Sequence, residues 1–171
     1  HPMAEGTAIE GLRLVKENLQ EVYHNGSNVE ARAHMLVASM MGAAAFQKGL
    51  GAIHSITHPV NSLYHTHHGT TNGTVMPFVL NFNRTVIEKK FERLANFLNI
   101  PNGFEGIVNW IIDLKKEMEI PETLKDMGVN SGDEIKLAPL AQEDPSTGGN
   151  PLEMTEDKFQ QLILNCIEGK Y

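Results

Sequence analysis

The chain has 171 residues, a formal net charge of -7, eight histidines and a single cysteine. That length fits one domain able to bury a substantial core, and the acidic balance excludes a nucleic-acid partner, which needs a basic surface. The lone Cys166 excludes an internal disulfide and suits a reducing cytoplasm, and no apolar run approaches the roughly 20 residues that span a bilayer.

Ala8, Ile9, Leu12, Val15, Leu19 and Val22 recur at helical period and predict a first helix ending at the turn Asn25-Gly26-Ser27. Asn28 is placed to cap a second helix reaching about Lys48. Its small residues Ala38, Ser39, Gly42, Ala43, Ala44 and Ala45 predict a central, buried element. Gly49-Leu50-Gly51 then breaks the pattern. It is a fragment of a dinucleotide fingerprint at best, with no preceding strand and no third Gly.

Pro59 directly after His58 predicts that the helix there ends, kinks or restarts. Thr70 to Phe82, interrupted by Pro77, reads as a kinked helix, and Val86 to Leu98 as a separate amphipathic one. Phe104 to Met118 is a further amphipathic helix carrying Trp110. A short helix around Glu122 to Met127 ends at Gly128, and another runs from about Gly132 to Gln142. After the loop Glu143 to Pro151, Thr155 caps a last helix whose buried face includes Cys166. No strand, internal repeat or low-complexity tract is evident, so the predicted fold class is all-α.

Five of the eight histidines, His54, His58, His65, His67 and His68, fall within fifteen residues. Imidazole is the commonest protein ligand for transition metals and titrates near neutrality, so the cluster points to metal binding or proton transfer. His54 and His58, four apart, would share one helix face. They resemble the H-E-x-x-H pair of zinc proteases, but Ser55 stands where that motif has its Glu, and the reading fails. Spacing does not say which of the five bind metal, and a catalytic metal needs three or more protein ligands. Glu88, Glu92 and Glu105 are carboxylate candidates that no spacing selects. His24 suits a helix C-terminus and His34 reads as structural or exposed. The run Asp144 to Pro151 is either a tight interhelical turn or a loop facing a site.

Taken together, Gly49-Leu50-Gly51-Ala52-Ile53-His54, His58-Pro59, His68-Gly69, Asn72 and Pro77 resemble the iron-containing (group III) alcohol dehydrogenases. The likeness runs from Ala8 through Ala31-Arg32-Ala33-His34-Met35-Leu36 to Asp144-Pro145, Gly148 and Asn150-Pro151, where the family commonly has Asp-Pro-Cys-Thr-Gly-x-Asn-Pro. It implies the all-helical C-terminal domain of a two-domain oxidoreductase, residues 1–171 being that domain and the chain a fragment of a longer one. It also implies an α/β domain, absent here, that binds NAD or NADP, with Fe(II) or Zn(II) held in the cleft between the domains by an Asp and three His.

Two of those metal-binding histidines match His54 and His68. His58 matches a histidine beside the nicotinamide and substrate, cast in proton transfer. His65 and His67 stay unassigned. The Asp and the third His precede His1 in the family. Asn61 replaces a usual Gly, Ser146 stands where many members have Cys, and His67 replaces a frequent Pro. The implied reaction is hydride transfer between an alcohol and an aldehyde or ketone, in a soluble cytoplasmic homo-oligomer with no membrane partner. The fragment alone is expected to be inactive. Two alternatives compete: a self-contained, non-catalytic helical metal-binding or interaction module, and a zinc glycerol-dehydrogenase-like or dehydroquinate synthase-like relative.

Overall fold

Seven α-helices and no strand make up the structure, a computed structural model that describes residues 1–171. In chain order they are α1 (Pro2–His24), α2 (Val29–Ala45), α3 (Ala52–Tyr64), α4 (His68–Phe97), α5 (Gly103–Glu117), α6 (Glu134–Glu143) and α7 (Glu156–Glu168). Single 3₁₀ turns lie at Phe46–Lys48, Lys125–Met127 and Thr147–Gly149. No single helix is long and apolar enough to cross a membrane.

The predicted caps operate. The Asn28 side chain accepts the Ala31 N–H at 3.1 Å, and Thr155 accepts the Lys158 N–H at 3.4 Å. Each satisfies one of the N–H groups that a helix start leaves without a partner. Gly128 closes the Lys125–Met127 turn in the left-handed region at φ 90°.

The main core lies between α3, α4, α6 and α7. Ile56 and Val60 from α3 meet Val75, Phe78 and Val79 from α4, Leu137 and Ala141 from α6, and Phe159, Leu162, Ile163 and Cys166 from α7. Cys166 is fully buried, and burial raises its thiol far above the ordinary range, so it behaves as a small core hydrophobe. A smaller cluster of Ile87, Phe104 and Val108 joins α4 to α5.

Two expectations fail here. α4 is one helix of 30 residues that passes through Pro77 and runs on across residues 83–85, where the sequence predicts a break between two helices. A helix-interior proline costs about 3 kcal/mol, but burying a large apolar side chain is worth about 1.5–3 kcal/mol. Val75, Phe78 and Val79, all buried around the proline, together outweigh it. Buried Lys115 of α5 reinforces the same turn by donating to the Thr74 carbonyl at 3.1 Å. Likewise α3 continues through Pro59, with Ile56 and Val60 fully buried on either side.

The second failure concerns α2. It lies at the edge and packs mainly on α1, leaving Leu36 74% and Met40 65% exposed. Its small residues serve one close approach only. A Cβ added to Gly11 of α1 would sit 3.3 Å from Met41 Cβ and 3.5 Å from the Ala38 carbonyl oxygen. Small side chains therefore mark a tight hairpin here rather than burial on every side.

The Asp144–Pro151 loop is fixed to the start of α3, which decides where Asp144 points. Asn150 accepts from the Ala52 N–H (3.3 Å) and exchanges two amide hydrogen bonds with buried Asn83, at 3.0 and 2.9 Å. The Thr147 hydroxyl donates to the Ala141 carbonyl at 2.7 Å and lies 2.8 Å from Ser55 Oγ. Gly149 makes the approach possible, since a Cβ there would lie 1.9 Å from the Leu50 carbonyl oxygen. Gly49-Leu50-Gly51 is thus a packing surface for this loop. Gly149→Ala is expected to cost about 1–3 kcal/mol through forced backbone displacement. Thermal unfolding should show a midpoint lowered by roughly 2–4 °C per kcal/mol, and a shift under about 1 °C would contradict the packing argument.

Candidate metal and proton-transfer site

α3 carries His54 and His58 one turn apart, and α4 begins with His68. The left-handed cap at His65 (φ 53°) ends α3 and turns the chain so that α4 starts beside it. The three imidazoles form a near-equilateral triangle, with ring centroids 5.3 Å (His54–His68), 5.5 Å (His58–His68) and 5.7 Å (His54–His58) apart. Sequence separation of fourteen residues between His54 and His68 is erased by the helix–turn–helix geometry.

The ring nitrogens are sorted by their partners. His58 Nδ1 lies 2.8 Å from Asp144 Oδ2. A carboxylate only accepts, so His58 Nδ1 carries the proton, and in the neutral ring Nε2 is the nitrogen with the lone pair. Burial alone would raise the Asp144 carboxyl. The hydrogen bonds from His58 and the Ser146 N–H (2.8 Å) overcome that and hold it below the usual carboxylate range. Asp144 is extended at ψ 134°, as a residue before proline should be, and its side chain is only 10% exposed.

His54 and His68 turn their Nε2 atoms toward one point. The Asn72 amide nitrogen occupies it, 3.1 Å from His68 Nε2 and 3.4 Å from His54 Nε2. Its carbonyl oxygen is buried with no hydrogen-bond partner. Burial first, then the neighbouring His68 and His58, lowers the pKa of His54 and favours the neutral ring, the form that ligates metals. Two imidazole Nε2 atoms aimed at one point fit a divalent transition metal. No group of three or more His, Cys, Asp or Glu side chains in the chain is arranged to hold a metal ion by itself, so the donor set it presents is partial.

The remaining candidates have other work. His67 caps α4, its Nδ1 accepting the Thr70 N–H at 3.3 Å, and His65 supplies the left-handed cap of α3. Glu88 and Glu105 both pair with Arg84, 2.9 Å away for Glu88. Glu92 lies against Gly103 at the α4–α5 junction. None of the three carboxylates joins the histidines. His24 pairs with Glu117 of α5 at 2.7 Å, and His34 bonds Asn18 across the α1–α2 hairpin at 3.1 Å. Asp144 carried no local signal, because it lies 86 residues from His58. The loop's density of turn-forming polar residues and its place in the family resemblance marked it, neither naming His58 as its partner.

Residues 1–167 match the family described as the Fe-containing alcohol dehydrogenase family, C-terminal. The chain belongs to this family. It is 34% identical over 172 residues to the 4-hydroxybutyrate dehydrogenase of Cupriavidus necator, covering 95% of this chain and 45% of that protein. It is 33% identical over 174 residues to the NAD-dependent methanol dehydrogenase of Bacillus methanolicus, covering 97% of this chain and 46% of that one. Among solved structures, the crystal structure of a 1,3-propanediol oxidoreductase superposes with a TM-score of 0.92 at 28% identity, over 98% of this chain and 46% of that one. The chain thus spans a little under half the length of these iron-type relatives. The all-helical architecture expected from the sequence is the architecture of that matching part.

Proposed function

We propose that this chain is the helical, metal-binding domain of a two-domain NAD(P)-dependent alcohol dehydrogenase, interconverting a small alcohol with its aldehyde or ketone. The observation that carries the reading is the triangle of His54, His58 and His68, with two rings converging on one point and the third hydrogen-bonded to a carboxylate. His54 and His68 are the metal ligands in this chain, and Fe(II) or Zn(II) suits an imidazole and carboxylate set. The chain offers two such donors, so the other ligands and the dinucleotide site come from the rest of the full-length protein.

When bound there, a divalent cation supplies Lewis acidity toward an alcohol or carbonyl oxygen, while NAD(P) accepts or gives the hydride. His58 does the proton work. Its Nε2 lone pair takes the hydroxyl proton as the alcohol is oxidised and returns it in the reverse direction. Asp144 holds the ring in that tautomer and offsets the positive charge that the imidazole gains. The His58 side chain is 41% exposed, which gives the proton a way out to water.

The exposed apolar residues of α2, Leu36, Val37 and Met40 among them, support burial of that face in a larger assembly, including a homo-oligomer. A single cysteine, with which no internal disulfide can form, accords with a cytoplasmic setting. The test is metal removal from the full-length protein. Chelation should abolish NAD(P)-coupled oxidation of short alcohols, and Fe(II) or Zn(II) should restore it. Activity that survives exhaustive chelation would contradict the reading.

A further inference from the structure

Asn61 sits in α3 where the resembling family usually has Gly, and its amide is fully engaged. The amide nitrogen lies 3.2 Å from the Thr66 carbonyl oxygen, 2.6 Å from Thr66 Oγ1 and 3.0 Å from Thr71 Oγ1. A backbone carbonyl only accepts, so the NH₂ end must face Thr66 and the oxygen end must face the opposite way. That oxygen lies 3.2 Å from His68 Nδ1. Buried Thr71 is itself held, its hydroxyl lying 3.0 Å from the His67 carbonyl and 2.9 Å from Thr66 Oγ1.

We infer that Asn61 is a positioning residue that fixes His68 in the Nδ1–H tautomer and so presents the Nε2 lone pair for metal. The chain of logic has one direction. The Thr66 carbonyl sets the Asn61 amide, the Asn61 oxygen takes the His68 Nδ1 proton, and Nε2 is left as the donor atom. At the far side of the ring, the Asn72 amide nitrogen at 3.1 Å is the partner that a bare Nε2 requires. The tautomer is set from the Nδ1 side, because the Asn61 amide is anchored by the Thr66 carbonyl. A glycine at position 61 offers neither the acceptor nor the anchor, so this chain carries a support for His68 built from its own side chains.

The inference rests on His68 being a ligand, and two readouts separate the claims. The first is the tautomer of His68 in the metal-free full-length protein, read from the side-chain ¹⁵N–¹H correlations of histidine-labelled samples. The proton is expected on Nδ1 in the wild type, with that preference lost in Asn61→Ala. The second is the Zn(II) dissociation constant measured against a competing chelator. Asn61→Ala should weaken it by about 10–100-fold, the usual loss when the hydrogen-bond partner of a ligating imidazole is removed. Asn61→Asp, which keeps an acceptor for Nδ1–H but loses the donor to the Thr66 carbonyl, should recover part of that loss. A wild-type His68 protonated on Nε2 would overturn the inference without any variant. So would an Asn61→Ala affinity within about twofold of wild type while His68→Ala abolishes binding. If His68→Ala itself leaves Zn(II) affinity unchanged, the ligand assignment falls and the inference falls with it.

Discussion

Replacing His58 with Ala is expected to lower turnover of the full-length protein by about 10²–10⁴-fold, the usual contribution of a positioned general acid–base group. Metal content should stay at the wild-type level, because His58 Nδ1 is committed to Asp144 and its ring lies outside the His54–His68 convergence. Asp144→Asn should lose much of the same activity for a different reason. An amide nitrogen facing Nδ1 would push the imidazole proton to Nε2, where it blocks acceptance of the alcohol proton. Steady-state kinetics should place both losses mainly in kcat. A His58→Ala protein that retains wild-type turnover would remove His58 from the reaction.

The Asp144 arm also has a pH signature in stability. Its folded carboxyl is held below the ordinary carboxylate value, so its stabilising effect is present above about pH 4. It is lost as the pH falls through the lowered folded value. The gap in denaturant midpoint between wild type and Asp144→Asn should therefore be open at pH 7 and close below about pH 4.

The second large effect concerns the ligands. His54→Ala and His68→Ala should each weaken metal binding by more than the roughly 10–100-fold lost on removing a ligand's hydrogen-bond partner. The doubly substituted protein should have no metal-dependent alcohol oxidation. Neither change should unfold the domain, since His68 is exposed, His54 is half-buried, and neither belongs to the apolar core. Circular dichroism at wild-type strength beside lost activity would place the effect in the site.

How far the sequence revealed this arrangement differs from element to element. Amphipathic α5 and α7 were readable because their apolar residues keep a 3.6-residue period over many turns. The caps at Asn28 and Thr155 were readable because capping is local chemistry. The continuity of α4 across residues 83–85 was not, because buried Asn83 is held there by Asn150, far along the chain. The exposure of α2 was hidden by its small residues, which signal close approach without saying on how many sides.

In the site, the histidine cluster itself stood out, but spacing put His54 and His58 on one helix face without selecting the ligands, whereas the structure turns His54 and His68 toward one shared point. Only the family resemblance had named that second pair. Asp144 and Asn61 were seen as a turn residue and a departure from pattern. Their partners are set by tertiary contact, to His58 from 86 residues away and to His68 across the α3–α4 turn. No periodicity encodes such contacts.

The most direct test of the central claim, that His54 and His68 hold a catalytic metal, is elemental analysis of the full-length protein purified without added metal. About one equivalent of iron or zinc per chain is expected in the wild type, with loss of that metal in the folded His54→Ala, His68→Ala protein. Full metal occupancy in the substituted protein would contradict the assignment.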